Sequence, residues 1–301
     1  MRTPCSLNRV MRHQHLLIAR LFMPDRFQLV LQKFAHAKRH VEALRAITTA
    51  YVAEEPYQLG FRIDPDQRPT YFVQSVKDIP PEIACVLGDV LHNLRCTLDH
   101  LAYQLALSVS GSSLAHPDRI YFPITETQEK YEKRKLSGDP FLTILSPGAV
   151  AAVDRLKPYR GGNDGLWWLH ALNNIDKHRM VVTAAGSGAS VDLGLGHNML
   201  KSLEADTTFP DHVREGMMAA TKKLSEQPLF FRMADQLFPL RPGDVFFYGA
   251  KGDTFNPTVK LKVYISVGES SVIDPTPIDR LLDAVGTSVS ITLKELRQYL
   301  E

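Results

Sequence analysis

Apolar residues recur every three or four positions in two long stretches of the chain, at about 27–53 and about 81–108. This spacing lines one side of a helix, so it predicts two long amphipathic helices that pack antiparallel. Between them, residues 57–63 alternate between apolar and other side chains and residues 70–76 are typical of a returning strand, which predicts a β-hairpin. The stripe of the second helix consists of Ile83, Leu87, Val90, Leu94, Leu98, Leu101 and Leu105.

Capping signals predict two further helices in the N-terminal half. Ser146 followed by proline is typical of a helix start, because serine accepts a backbone hydrogen bond at the N-cap and proline fits the first turn. Asn163 or Asp164 is the N-cap of a helix that contains residues 166–180.

The pattern changes after residue 180. Short β-type segments separated by glycine, proline and aspartate follow up to about residue 270, and a last amphipathic helix covers about 275–300. The predicted fold class is therefore α+β: a helical bundle of long antiparallel helices with an inserted β-hairpin, followed by an antiparallel β half and a C-terminal helix. We predict a helical half over 25–180 and a β-rich half with the C-terminal helix over 181–301, as two domains or one continuous domain.

The first 24 residues differ from the rest of the chain. Arginines occur there without a single acidic residue before Asp25, around a short apolar patch. We interpret residues 1–24 as a leader or as the product of an upstream start codon, and we exclude them from the fold prediction.

The composition excludes some classes of protein. The chain of 301 residues has 35 Lys and Arg against 33 Asp and Glu, a formal net charge of +2. This charge excludes binding of nucleic acid through a large overall positive charge, although it allows a local basic patch. No apolar run of about 18 residues is present, so we expect no membrane span. The 3 cysteines, an odd number, argue against a disulfide framework and for the reducing cytoplasm.

Polar residues are concentrated in the middle of the second predicted helix, in the segment HNLRCTLDH over residues 92–100. Arg95 and Asp99 are four positions apart and can form an ion pair along the helix. Charged groups on a largely buried helix are costly unless they are paired, so the cluster indicates either a functional site or a structural polar network. In a functional site, His92, Asn93 and Asp99 would support the reacting groups.

Arg95 and His100, with four residues between them on a helix, resemble the Arg-x(4–6)-His motif of the HEPN superfamily, many members of which are metal-independent endoribonucleases that act as homodimers. The resemblance implies that His100 is a general acid or base for the ribose 2′-hydroxyl and that Arg95 stabilises the charge on the phosphorane. It implies RNA as a partner, a homodimer, and neither a metal nor a cofactor. The chain is also similar to bacterial proteins that carry LHNLR and LDHLA followed by LWxLxxLNNIDKHR, and this similarity implies no activity.

A second polar row lies on the helix predicted over 166–180, where His170, Asn174 and His178 follow each other at steps of four, flanked by Asn173 and Lys177. The row is either the solvent face of an amphipathic helix or one wall of a cleft whose other wall is the segment 92–100. Positive charge and imidazole groups in such a cleft would suit a phosphate-containing ligand. The members of the row are His170, Asn174, Lys177, His178 and Arg179.

His36 and His40 lie four positions apart on the first helix, a spacing that is compatible with a metal ion. Their lysine and arginine neighbours argue for an ordinary surface instead. Three functions therefore stay open: a HEPN-like metal-independent RNA endonuclease or RNA-binding relative, a non-catalytic helical interaction or small-anion-binding protein, and a histidine-metal hydrolase. The first of these is the leading hypothesis.

Overall fold

A computed structural model gives the structure of the chain. Residues 1–24, which we interpret as a leader or the product of an upstream start, lie outside the part that it describes. The described residues are 25–111, 113–179, 181, 183–185, 190–192, 203–204, 208–225, 230–232, 240–249, 251, 260–269 and 271–300.

The described part of the chain has the predicted α+β fold. Within it, no helix is both long and apolar enough to cross a membrane. The helices are α1 (Arg26–Ala53), α2 (Pro81–Ser110), α3 (Gln128–Leu136), α4 (Pro140–Ile144), α5 (Pro147–Leu156), α6 (Asp164–Asp176), α7 (Asp211–Ser225) and α8 (Ile278–Leu296). The strands are β1 (Tyr57–Ile63), β2 (Pro69–Val76), β3 (Thr183–Ala185), β4 (Ser190–Asp192), β5 (Phe230–Arg232), β6 (Val245–Tyr248), β7 (Lys260–Lys262), β8 (Ile265–Glu269) and β9 (Ile273–Pro277).

The described strands form three antiparallel sheets, with the strand orders β1-β2-β6, β3-β8-β9 and β5-β4-β7. The predicted hairpin is confirmed, since Tyr57 pairs with Val76 at its open end and Ile63 with Pro69 at its turn. A bulge after Gln58 shifts the register within the hairpin, which increases the local twist of the sheet.

The chain packs as two compact units, each built from separate stretches. One unit comprises the described residues of 1–41, 88–177 and 283–301, and the other those of 42–87 and 178–282. The boundary falls within α1, α2 and α8, so each unit takes residues from both predicted halves. We call the first the helical unit and the second, which contains all the described strands, the sheet unit.

In the helical unit, α1 and α2 run antiparallel, as predicted. Arg26 Nη1 is 3.5 Å from Gln104 Oε1 near one end of the pair, and His40 Nδ1 is 3.9 Å from Asp89 Oδ2 near the other. The predicted stripe of α2 is confirmed, because each of its side chains is buried. Burial of this stripe is the main source of apolar stabilisation along α2.

α6 begins at a close crossing with α8. Asn163, the N-cap of α6, accepts hydrogen bonds from the Leu166 amide at 3.1 Å and from the Ser288 hydroxyl of α8 at 2.9 Å. Gly165 stands at the crossing, where an added Cβ would lie 2.7 Å from the Ala284 carbonyl oxygen and against the Ser288 side chain. A carbon atom does not approach an oxygen so closely, so the crossing distance requires glycine.

Two elements differ from the predicted ones. α8 begins at Ile278, later than predicted, because residues 273–277 form β9 and pair with β8. Pro275 and Pro277 explain this, since each pushes the residue before it into extended conformation. α7 is an additional helix inside the half predicted as β-rich, and its signal in the sequence is an aspartate in the first turn.

We expect Gly165→Ala to lower the free energy of unfolding by about 1–3 kcal/mol, because the methyl group would force α6 away from α8. Gly286→Ala is the matched control, since an added Cβ at this α8 position meets no described atom outside its own helix within 4 Å. Alanine there should raise the free energy of unfolding by up to about 1 kcal/mol. Urea unfolding followed by circular dichroism measures both variants. Equal effects of the two substitutions would contradict the close crossing.

Candidate functional site

Residues 120–124 are held against α2 by one arginine and one aspartate. Arg95 Nη2 donates to the Phe122 carbonyl at 2.9 Å, and the Phe122 amide donates to Asp99 Oδ1 at 2.9 Å. Arg95 and Asp99 are one helical turn apart and form an ion pair at 2.9 Å. The two side chains thus satisfy both backbone groups of a residue that belongs to no strand. We call Arg95, Asp99 and Phe122 the clamp.

Arg95 and Phe122 of the clamp are buried, and Asp99 is partly exposed. Arg95 is 7% exposed, and the Phe122 side chain is fully buried near Phe141, with the ring centres 6.4 Å apart. Burial opposes the charged form of both ion-pair partners: it lowers the pKa of Arg95 and raises the pKa of Asp99, and the charge of each partner offsets part of the other's shift. Removal of one partner would therefore leave an uncompensated buried charge.

One nitrogen of the clamp has no partner in the described part of the chain. Arg95 Nη1 is buried and makes no hydrogen bond to any residue that the structure describes. A buried donor left unsatisfied costs about 1–3 kcal/mol, and more when the group is charged, so such atoms are rare unless a water or a ligand meets them. Arg95 Nη1 therefore indicates a position where a water or a ligand can bind.

α6 carries two further buried nitrogens without a partner in the described chain, Trp167 Nε1 and His170 Nδ1. The two residues are three positions apart on one helix face, with their ring centres 6.2 Å apart. His170 Nε2 lies 3.1 Å from Asn174 Nδ2, one turn further along. With the amide nitrogen assigned as the donor, Nε2 accepts and the proton of the neutral ring is on Nδ1, so Nδ1 is itself a donor.

The charge of Arg95 on α2 acts on His170 of α6. Burial, followed by the positive charges of Arg95, Lys177 and Arg134, lowers the pKa of His170 to about 4. Arg95 is therefore close enough to His170 to act on it electrostatically, and Trp167 lies beside His170 on α6. We call Arg95 Nη1, Trp167 Nε1 and His170 Nδ1 the donor site. Three donors without an acceptor among them suit a ligand that offers oxygen acceptors.

His100 is not brought to the donor site. It follows Arg95 by five positions, which is about 140° around an α-helix. Burial and then the charge of Lys33 lower the pKa of half-buried His100, and Arg95 is not among the described charges that act on it. The structure thus unites Arg95 with Asp99, and the described charge that acts on His100 is that of Lys33 on α1.

The other predicted residues of the segment 92–100 make local contacts along α2. Asn93 Nδ2 donates to the Asp89 carbonyl at 2.8 Å, and His92 Nε2 lies 3.4 Å from Cys96 Sγ. Burial raises the pKa of Cys96, so its thiol is not an activated nucleophile.

The polar row on α6 is shorter than predicted. α6 ends at Asp176, and Lys177 is its C-cap, whose amide donates to the Asn173 and Ile175 carbonyls. His178 and Arg179 therefore lie beyond the helix, and the row at steps of four stops at the previous turn. In the sheet unit, Arg179 binds the buried Glu269 carboxylate through two hydrogen bonds of 2.9 and 2.8 Å.

His36 and His40 form a hydrogen bond with each other. Their Nε2 atoms are 3.1 Å apart, and Arg39 Nη2 lies 2.8 Å from His36 Nδ1. Because arginine can only donate, His36 Nδ1 accepts, and the proton on His36 Nε2 points to His40. A metal ion bound between the two rings would have to displace that proton. Among the described residues, no group of three His, Cys, Asp or Glu side chains is arranged to hold a metal ion.

Comparisons of the chain with protein-family models, curated proteins and solved structures found no match. The candidate site is therefore defined by its geometry. Two of its parts are missing from the sequence-based predictions, the indole nitrogen of Trp167 and the backbone of Phe122. The signal for Trp167 is its position three residues before His170. No signal marks Phe122, because it takes part through its backbone.

The neutral state of His170 makes the stability of the protein depend on pH. The pKa of His170 in the folded protein, about 4, lies below the ordinary value of 6.5, so folding opposes its protonation. This contribution to stability is complete above about pH 6.5 and is lost as the pH falls toward 4. We expect His170 to account for a decrease of roughly 2–3 kcal/mol in the free energy of unfolding over this range.

Urea unfolding at several pH values between 7 and 4 tests this expectation. His170→Gln should flatten the pH dependence, and His116→Gln, at an exposed histidine of the same unit, should keep the wild-type dependence. If both variants retain the same slope, His170 is not the buried neutral group described above.

Proposed function

We propose that the protein binds a small oxyanion of the phosphate class at the donor site. Arg95 Nη1 carries this proposal: it is a buried guanidinium nitrogen without a partner in the described chain, while its neighbour Nη2 is fixed by the clamp. A guanidinium presents its donors in a rigid fork that matches the oxygens of phosphate and carboxylate groups. An arginine that is immobilised through one nitrogen is prepared to bind such an oxygen through the other.

The two α6 donors support the same class of ligand. Trp167 Nε1 can only donate, and neutral His170 donates through Nδ1, so neither favours a cation or an apolar group. The lowered pKa of His170 keeps the ring neutral near pH 7, so the number of donors stays constant there. Lys177, exposed and close enough to lower that pKa, adds positive charge that attracts an anion.

Removal of one donor at a time tests the proposal. We expect wild-type protein to bind dimethyl phosphate, a minimal phosphodiester, in isothermal titration calorimetry. Trp167→Phe removes only the N–H group and part of the ring, and should weaken binding by about 10–100-fold, because hydrogen bonds to a charged group contribute about 1.5–3 kcal/mol.

Trp168→Phe is the matched control for this experiment. Trp168 is adjacent in sequence, is also partly exposed, and contributes no atom to the donor site. It should bind dimethyl phosphate like the wild type. Equal affinities of the Trp167 and Trp168 variants, or no binding by the folded wild type, would refute the proposal.

A metal-independent RNA endonuclease is a second candidate, which the state of His100 favours. Its imidazole is partly exposed, has a lowered pKa and forms no hydrogen bond with a described residue, so it can accept a proton near pH 7. Arg95 and His100 lie about 140° apart around α2, so one protomer does not present both side chains on one helix face. We therefore propose that the enzyme would act as a homodimer, in which Arg95 of one protomer stabilises the phosphorane beside His100 of the other.

RNA cleavage in the presence of excess EDTA tests the second candidate. We expect wild-type protein to cleave a mixture of structured and single-stranded RNA, with a loss of at least about 100-fold in His100→Ala. His116→Ala, at an exposed histidine of the same unit, should retain full activity. Absence of cleavage by the wild type, or equal cleavage by the two variants, would refute this candidate. We also propose a reducing cytoplasm as the location, because 3 cysteines, an odd number, argue against a disulfide framework.

A further inference from the structure

We infer that Asp99 determines the charge of the ligand, so that the donor site takes a singly charged oxyanion and rejects a doubly charged one. This inference rests on the proposed function, because it concerns the ligand of the same site. It adds the class of ligand to that function. Phosphodiesters and carboxylates, which carry one negative charge, should bind, whereas sulfate and phosphate monoesters, which carry two, should not.

Asp99 and the ligand would share one guanidinium. Asp99 Oδ1 is 2.9 Å from Arg95 Nη2, and the free nitrogen Nη1 belongs to the same planar group. The positive charge of a guanidinium is delocalised over its nitrogens, so Asp99 already neutralises most of the charge that an anion at Nη1 would meet. Arg95 therefore stabilises the bound ligand mainly through hydrogen bonds and only weakly through the attraction of opposite charges.

Asp99 cannot leave when a ligand arrives. Its Oδ1 also accepts the Phe122 amide at 2.9 Å, and departure of the carboxylate would leave that partly buried backbone donor unsatisfied. The negative charge of Asp99 is thus a fixed part of the site. An anion at Arg95 Nη1 would share the guanidinium with this carboxylate, which binds the neighbouring nitrogen Nη2.

The other charged residues near the donor site can balance one negative charge on the ligand. Arg134 acts on the region, but it forms an ion pair with Asp139, whose carboxylate is buried and caps α4. Of the three cations that lower the pKa of His170, Arg95 and Arg134 form ion pairs, and Lys177 forms none with a described residue. With Arg95 balanced by Asp99 and Arg134 by Asp139, a single negative charge on the ligand balances Lys177. A second one would be buried without a partner, which is unfavourable.

Perchlorate and sulfate are tetrahedral anions of similar shape that differ in charge. Their different hydration is the same for every variant, so a change of the preference between variants reports on the site. Both present four oxygens, and they carry one and two negative charges. In titrations at constant ionic strength, we expect wild-type protein to bind perchlorate at least tenfold more tightly than sulfate. Dimethyl phosphate and perchlorate should compete for the site, because both are singly charged oxyanions.

Asp99→Asn tests the role of the carboxylate itself. The substitution removes the charge but keeps a side-chain carbonyl oxygen that can accept from the Phe122 amide and from Arg95. The perchlorate-to-sulfate preference should fall at least tenfold in this variant, since Arg95 is no longer neutralised. Asp118→Asn removes the same charge from an exposed position of the same unit and should leave the preference unchanged.

The outcomes separate this inference from the proposed function. A wild-type preference for sulfate, or an equal change of the preference in the Asp99 and Asp118 variants, would overturn the inference and leave oxyanion binding intact. If folded wild-type protein binds none of the three anions, the proposed function fails and the inference fails with it. If the Asp99 variant does not fold, a wild-type preference for sulfate still overturns the inference.

Discussion

The burial of one guanidinium group is the constraint on which the helical unit depends. A charged side chain can leave water only if other groups replace its hydrogen bonds and balance its charge. For Arg95, Asp99 supplies the charge and the Phe122 carbonyl supplies an acceptor. The same contacts hold residues 120–124 against α2 and keep the Phe122 ring in the core. Packing and electrostatics are therefore satisfied together at this point.

The clamp also prepares the site for a ligand. Because Nη2 is fixed, Arg95 Nη1 is fixed in position too, and a donor that does not have to be ordered on binding favours affinity. Its partners Trp167 and His170 are on α6, which is itself positioned by the contact of its N-cap with Ser288 on α8. Helices hold the donors more rigidly than loops would, and such support gives a binding site its geometry.

The sequence predicts the elements well and the site only in part. Apolar residues that recur every three or four positions identify α1, α2 and α8, because a helix that buries one face needs apolar residues at this spacing. The ion pair of Arg95 and Asp99 is predictable because its two residues share one helix. The clamp is not, because Phe122 takes part through its backbone, which has the same chemistry in every residue. The end of α6 at Asp176 is equally hidden, since no glycine or proline marks it.

The most direct test follows the indole N–H groups themselves. The chain has 2 tryptophans, so a ¹H–¹⁵N spectrum shows two indole signals, and Trp168→Phe assigns them. On titration with dimethyl phosphate, we expect the Trp167 signal to move downfield as its proton gains an oxygen acceptor, and the Trp168 signal to stay in place. If the Trp167 signal does not move at saturating ligand concentration, the buried donors do not receive an oxyanion.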